Sequence, residues 1–235
     1  MTSTISVIIP VFKRVDLLTA CLESFKMSSV QPLEIIVADD GNMIDDACAI
    51  EAICEKFQTR IVHCGNNTGA SAARNRGAHE SIGEFIFFAD ADVVIAPHAL
   101  EQLLYALKNY PEAAFAYGDF IYGTIKMKSK VFSRDVLMRE NFISTMSLVR
   151  RATFLGFDES LRRFQDWDLW LSITARGGVG VYVPQTIFKA HASGSMSTWI
   201  PAIIVHYYKF FLWIPRVRVF VRARKIIAQK HGLKL

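Results

Sequence analysis

The sequence predicts an α/β fold built on a mostly parallel, mixed central sheet, and three observations carry that expectation. Short apolar, β-branched runs alternate with stretches whose apolar residues recur at helical spacing. The strand candidates end in polar or acidic turns, Asp39-Asp40-Gly41 and Asp90-Ala91-Asp92 among them. With 235 residues, 51% of them hydrophobic and 21% charged, the chain is long enough for one well-buried domain and too apolar to be disordered.

Ile5–Val11 is a continuous apolar run closed by Pro10 and the polar Lys13-Arg14, the pattern of a strand buried on both faces. Leu18, Cys21, Leu22 and Phe25 then repeat as one helix face. Leu33–Ala38 gives a second strand, Asp45–Phe57 a helix and Arg60–Cys64 a third strand. After the turn Asn66-Asn67-Thr68-Gly69, Ala70–His79 forms a helix of small residues, and Glu84–Ala89 a fourth strand. Pro97 opens a helix whose face is Leu100, Leu103, Leu104 and Leu107. Beyond Ala114 the rhythm changes. Ala114–Tyr122 and Lys126–Phe132 read as strands of a smaller mixed region, Asp166–Ala175 as a helix, and Val179–Val183 and Thr186–Lys189 as short strands.

Charge is distributed unevenly. From Leu169 onward there is no Asp or Glu and ten Lys or Arg, which leaves residues 1–168 at a net charge of −5. A nucleic-acid-binding domain does not usually keep its acidic groups in the fold and its positive field in one terminal segment, so no nucleic-acid partner is expected. Cys21, Cys48, Cys54 and Cys64 form no CxxC pair and lie in or beside apolar stretches, which predicts buried, reduced thiols in the cytosol. Met1–Thr4 carries no basic leader, so no secretory signal is expected.

Ligands of open α/β sheets bind beyond the carboxyl ends of the strands, which directs attention to the acidic turns. Asp90 and Asp92 offer hard oxygen ligands suited to Mg²⁺ or Mn²⁺; the plainer reading is that they begin a turn and cap the next helix. Asp39-Asp40-Gly41 either accepts hydrogen bonds from a base or ribose or is an ordinary strand-to-turn connection. Arg74, on the small-residue helix, either reaches a donor phosphate or balances one of these carboxylates, and Asn75 can fix a neighbouring loop. Asp166 and Asp168 read locally as solvated helix-start residues favoured by the dipole.

Together these stretches resemble the inverting family 2 glycosyltransferases of GT-A fold, a Rossmann-like nucleotide-binding architecture. The resemblance runs over roughly residues 5–192. It is carried by Val7–Phe12, Ile36–Asn42, Asn67–Gly77, Phe88–Asp92 and Phe157–Trp170 in that order. It implies a nucleotide-sugar donor, a UDP-sugar first, held by Pro10, Phe12, Asp39, Asp40, Arg74 and Asp90, with Mn²⁺ or Mg²⁺ on Asp92 and His191 near it. Asp166 takes the place of the catalytic base. Read from the residues themselves, Trp167 and Trp170 offer stacking faces to an acceptor sugar, with a place in the core as the other reading for one of them. Many members have Glu-Asp where this chain has Gln165-Asp166, so a neighbouring charge is missing. The acceptor is a carbohydrate or a lipid-linked sugar, in surface polysaccharide or glycolipid synthesis. A nucleotidyltransferase would show a Gly-rich basic loop after the first strand, which Phe12–Asp16 lacks. A non-catalytic sugar- or nucleotide-binding domain would tolerate loss of Asp92 or Asp166, and both are present.

The boundaries expected are a catalytic domain over 1–195 and a basic, amphipathic segment over 196–235. Trp199–Pro215 is apolar and aromatic but short of a comfortable bilayer span, and Arg216, Arg218, Arg222, Arg224 and Lys225 follow it. This suits a helix lying at an anionic membrane surface through residues 199–225, on the cytoplasmic face; a tilted or re-entrant insertion, an oligomer contact and a buried C-terminal helix are the other readings.

Overall fold

The computed structural model describes residues 4–191 and 213–233. The strands are β1 (Ile5–Val11), β2 (Glu34–Asp39), β3 (Arg60–His63), β4 (Phe85–Phe88), β5 (Val93–Ile95), β6 (Ala113–Tyr122), β7 (Ile125–Met127), β8 (Leu148–Arg150) and β9 (Val179–Ala190). The helices are α1 (Val15–Lys26), α2 (Ile44–Phe57), α3 (Ala70–Glu80), α4 (Ala99–Asn109), α5 (Arg134–Leu137), α6 (Gln165–Ala175) and α7 (Pro215–His231). One nine-stranded sheet runs β3-β2-β1-β4-β8-β6-β9-β5, with β7 beside β6. The β1–β2, β1–β4, β2–β3 and β6–β9 pairs are parallel; β8 is antiparallel to both β4 and β6. Two reversals restore the direction, so β6 and β9 point the same way as β1, β2 and β4. Their carboxyl ends share one edge.

Two apolar clusters cover the sheet. One takes Leu18, Cys21 and Phe25 of α1, Ile50 and Cys54 of α2 and the leucines of α4. The other takes Ala78 of α3, the buried face of α6 and Ile227 of α7. α1, α2 and α4 therefore lie on one face, and α3, α6 and α7 on the other. The continuous apolar composition of β1 and β4 is what a strand covered on both sides requires. Gly77 lets α3 sit directly on β1, because a Cβ there would meet Ile8 Cγ2 at 2.5 Å.

Several local expectations change. Val179–Ala190 is one strand, not two: the register moves from Gly118↔Val183 to Asp119↔Thr186, so Pro184 and Gln185 sit in a bulge where a missing N–H costs no ladder bond. The strand expected over 126–132 ends at Met127, because Ser129 bonds to Gly118 O and Phe142 O and donates its N–H to Asp119 instead of continuing the ladder. All four cysteines are free thiols, but Cys48 is exposed on the outer side of α2 and Cys64 is half-buried; only Cys21 and Cys54 are buried. The three-residue strands β5 and β8 were too short to carry a readable period.

Candidate functional site

The expected donor residues gather at the shared carboxyl edge. β1 lies between β2 and β4, so the Asp39-Asp40 and Asp90–Asp92 turns stand two strand spacings apart, about 10 Å. His191 follows β9 at the same edge, its N–H donating to Asp92 O at 3.3 Å, and is exposed. Pro10 is half-buried near the end of β1 and Phe12 is 38% exposed just past it. A concavity of about 970 Å³ between α4 and Val181–Gln185 of β9 touches none of these residues.

The two carboxylates ending β2 are occupied by the protein. Asp39 accepts from Asn42 N (3.0 Å), from Asn42 Nδ2 (2.6 Å) and from His63 Nδ1 at 2.9 Å. Burial raises its pKa, and the Asn42 and His63 contacts outweigh burial and hold it below the usual carboxylate value. Asp40, 2% exposed, accepts from the N–H groups of Thr68 (3.0 Å) and Gly69 (2.9 Å) and from Asn67 Nδ2 (3.2 Å). It fastens the loop before α3 to the end of β2. Gly41 permits this close approach, since its φ is +75° and a Cβ would lie 2.4 Å from Asn67 N.

Arg74 connects the other half. It is buried on α3, stacked over Phe157 at 5.4 Å, with Nη2 donating to Asp90 Oδ1 at 2.5 Å and Nη1 to Gln165 Oε1 at 3.4 Å. Its Nε is buried without a partner among the described residues. Asn75, one residue on, clamps the 157–159 loop through Phe157 O, Phe157 N–H and Glu159. Burial raises the pKa of Asp92, and the charge of Asp90 adds to it; Arg14 and His191 oppose the shift. Such mutual repulsion is what a cation relieves. Among the described residues no group of three or more His, Cys, Asp or Glu side chains is placed to hold a metal ion. Mg²⁺ or Mn²⁺ bound through one or two carboxylates, with phosphates and water completing the shell, needs no such group, and Asp92 with Asp90 fits that mode.

Asp166 lies in the first turn of α6, close enough to Arg74 to feel its charge. Burial raises its pKa; hydrogen bonds from Asn141 and the Trp167 N–H (2.8 Å) work against that. Asn141 had no signature in the sequence, being an isolated polar residue outside any motif; Gln165 stood out only as the departure from Glu-Asp, and Arg14 only as part of the polar turn after β1. Asp168 turns away to α7, pairing with His231 at 2.7 Å and Lys230 at 2.9 Å. Trp167 and Trp170 are corrected to core residues. They are 2% and 0% exposed, and their indole N–H groups donate to Leu137 O (2.7 Å) and Ile143 O (3.1 Å), so neither ring has a face for an acceptor sugar.

Comparison with known proteins gives a consistent picture. Residues 6–165 match the model for "Glycosyl transferase family 2". An uncharacterized glycosyltransferase of Rickettsia conorii is 28% identical over 213 residues, covering 83% of this chain and 34% of the relative; one from Haemophilus influenzae is 26% identical, covering 72% and 61%. The chain thus spans only part of these longer relatives. Among solved structures, Staphylococcus aureus TarS 1–349 in complex with UDP-GlcNAc superposes with a TM-score of 0.70 at 16% identity, over 84% of this chain and 62% of that one. The mannosyltransferase PcManGT of Pyrobaculum calidifontis, in complex with GDP-Man and Mn²⁺, gives 0.66 at 17% identity, over 84% and 59%. The likeness to these structures establishes a GT-A-like fold. By the match of its residues 6–165, the chain belongs to glycosyl transferase family 2.

Proposed function

We propose that the protein is an inverting glycosyltransferase, moving a sugar from a nucleoside-diphosphate sugar to an acceptor hydroxyl in surface polysaccharide or glycolipid synthesis. The observation that carries this reading is the placement of Arg74. One guanidinium reaches Asp90 on the diphosphate side and Gln165, the neighbour of Asp166, on the acceptor side. A donor bound beyond the strand ends would lie between them.

In this reading Pro10 and Phe12 wall the nucleotide pocket, while Asp39 and Asp40 hold its turn and loop in place. Arg74 faces the diphosphate and lowers the cost of its charge. A Mn²⁺ or Mg²⁺ ion, when bound, would be held by Asp92 with Asp90 and His191 beside it, and would neutralise charge on the departing diphosphate. The Mn²⁺ complexes of PcManGT and of Mycobacterium tuberculosis glucosyl-3-phosphoglycerate synthase support that choice. Asp166 takes the acceptor hydroxyl proton as the hydroxyl oxygen attacks the anomeric carbon from the face opposite the leaving diphosphate, which inverts that centre. Its burial and its bonds to Asn141 and Trp167 N–H fix the carboxylate for that transfer.

The basic segment is proposed to hold the enzyme at the cytoplasmic face of a membrane through residues 199–225. Most of that stretch, 199–212, lies outside the described residues; among the described residues no helix is long and apolar enough to cross a membrane. A panel of nucleotide sugars, tested for binding and slow hydrolysis with and without Mn²⁺, tests the catalytic reading. Binding of at least one member, strengthened by Mn²⁺, is expected; binding of none in either condition ends it.

A further inference from the structure

α7 has two faces of different chemistry. Its inner face buries Val217, Ile227 and Ala228, and sets the Phe220 ring 5.2 Å from that of Phe164. Two polar groups at its C-terminal end are spent on the protein. Lys230 Nζ stands 2.6 Å from Asp158, and His231 Nε2 stands 2.7 Å from Asp168. The outer face carries Arg218, Arg222 and Lys225 as one stripe at helical spacing, all exposed. Beside the stripe, Val219 is 51% and Ile226 47% exposed, and Trp213 at the entry to the helix is 76% exposed. The helix contains no Asp or Glu.

We propose that this outer face docks on an anionic lipid bilayer and thereby turns the Asp166 end of the crevice toward the lipid surface. Cations alone would serve any polyanion. Apolar side chains and a tryptophan standing in water among them are matched by the headgroup–acyl boundary, which takes the apolar groups while anionic headgroups meet the cations. The orientation follows from the packing. Phe164 immediately precedes α6 and Asp166 lies two residues further, so about one helix thickness, roughly 10 Å, separates the outer face of α7 from the base end of α6. Arg162 and Arg163 lie directly before Phe164 and add positive charge to that rim. α2 lies on the other face of the sheet, away from the bilayer. An acceptor carried at the lipid surface would meet Asp166 first. The docking itself stands whether or not nucleotide-sugar transfer does, because it is measured without a donor.

The test uses the full chain with vesicles of phosphatidylcholine alone and of phosphatidylcholine mixed with phosphatidylglycerol. Binding to the anionic vesicles is expected to exceed binding to the neutral ones by at least about tenfold. The R218E/R222E/K225E variant is expected to bind anionic vesicles at least about 100-fold more weakly, since loss of each surface cation costs about fivefold and each new carboxylate is repelled as well. The R218K/R222K variant should bind as the parent does. For orientation, a fluorophore is placed on Val219→Cys, on Arg163→Cys (both with Cys48→Ser and Cys64→Ser), or on native Cys48, and quenched with brominated phosphatidylglycerol. Quenching should fall in the order 219, 163, 48. Equal binding to neutral and anionic vesicles, or an unaffected charge-reversal variant, overturns the docking, as does displacement from vesicles by duplex DNA at equal phosphate concentration. Cys48 quenched as strongly as position 163 overturns the orientation.

Discussion

Replacing Gly41 and Gly65 by alanine, one at a time, separates backbone strain from steric conflict in the loop that holds Asp40. Both glycines have positive φ, +75° and +80°, so each alanine incurs the left-handed penalty of about 1–2 kcal/mol. They differ in what a Cβ would meet. At Gly65 nothing among the described residues lies within 4 Å of a Cβ; at Gly41 the Cβ would stand 2.4 Å from Asn67 N and 2.5 Å from Asn66 C, backbone atoms with nowhere to rotate. Overpacking of that kind adds about 1–3 kcal/mol. Gly41→Ala should therefore cost about 3 kcal/mol against roughly 1.5 for Gly65→Ala. In a chain of this length that is a lowering of Tm by roughly 6–12 °C against 3–6 °C. The same displacement moves Asn67–Gly69, which bond to Asp40, so on the proposed reading Gly41→Ala should also weaken nucleotide-sugar binding, because the loop beside the donor shifts. Urea unfolding and nucleotide-sugar binding read the two effects. Equal stability of the two variants, or a Gly41→Ala protein that binds donor as the parent does, refutes the argument.

Asp166→Asn should lower transfer by about 10²–10⁴-fold with donor affinity unchanged, because only the proton acceptor is lost; steady-state kinetics alongside calorimetric donor binding check this. Arg74→Met keeps the packing over Phe157 but leaves Asp90 unpaired beside Asp92, so donor affinity should fall at least tenfold and stability by about 2 kcal/mol, less than for a fully buried pair because Asp90 is 38% exposed. Lys230 and Ser160 hold the Asp158 carboxyl down at about 2. A depressed folded-state value stabilises the fold above the unfolded carboxylate range and ceases to as pH falls through about 2. Asp158→Asn should therefore cost on the order of 1 kcal/mol at neutral pH, screening included, and nothing near pH 2; a pH-independent difference in urea midpoints would contradict it.

The half of the sheet made from β1 to β4 was legible because β1 and β4 are buried on both sides and β2 over its last four residues, while α1 buries one face, which writes the two periods plainly into the sequence. Asp39, Asp40, Asp90 and Asp92 were legible for a related reason: acidic residues directly after an apolar strand stand out. What the sequence hid were properties of contact. β5 and β8, three residues each, exist only because β9, β4 and β6 offer them ladders. Trp167 and Trp170 carry the composition of a stacking platform, yet their indole N–H groups find carbonyls inside the fold, and one-dimensional spacing cannot report that. Asn141 reaches Asp166 from a segment 25 residues away, again without periodicity to announce it.

Phe164 shows how such contacts set the site. It enters α6 at φ +59°, a left-handed conformation that a bulky residue adopts only under constraint, at a cost of about 1–3 kcal/mol. Two rings supply the constraint: Trp167, 5.5 Å away within the helix it opens, and Phe220 of α7, 5.2 Å away. The left-handed residue ends the preceding loop abruptly, and α6 starts with Gln165 and Asp166 in its first turn, facing Arg74 and Asn141. Asp168 and Asp158, bound to Lys230 and His231, hold α7 where Phe220 meets Phe164. The strain at Phe164 is thus supported from the C-terminal helix, and the carboxylate proposed to take the proton owes its direction to a contact with a helix that begins 51 residues after Phe164.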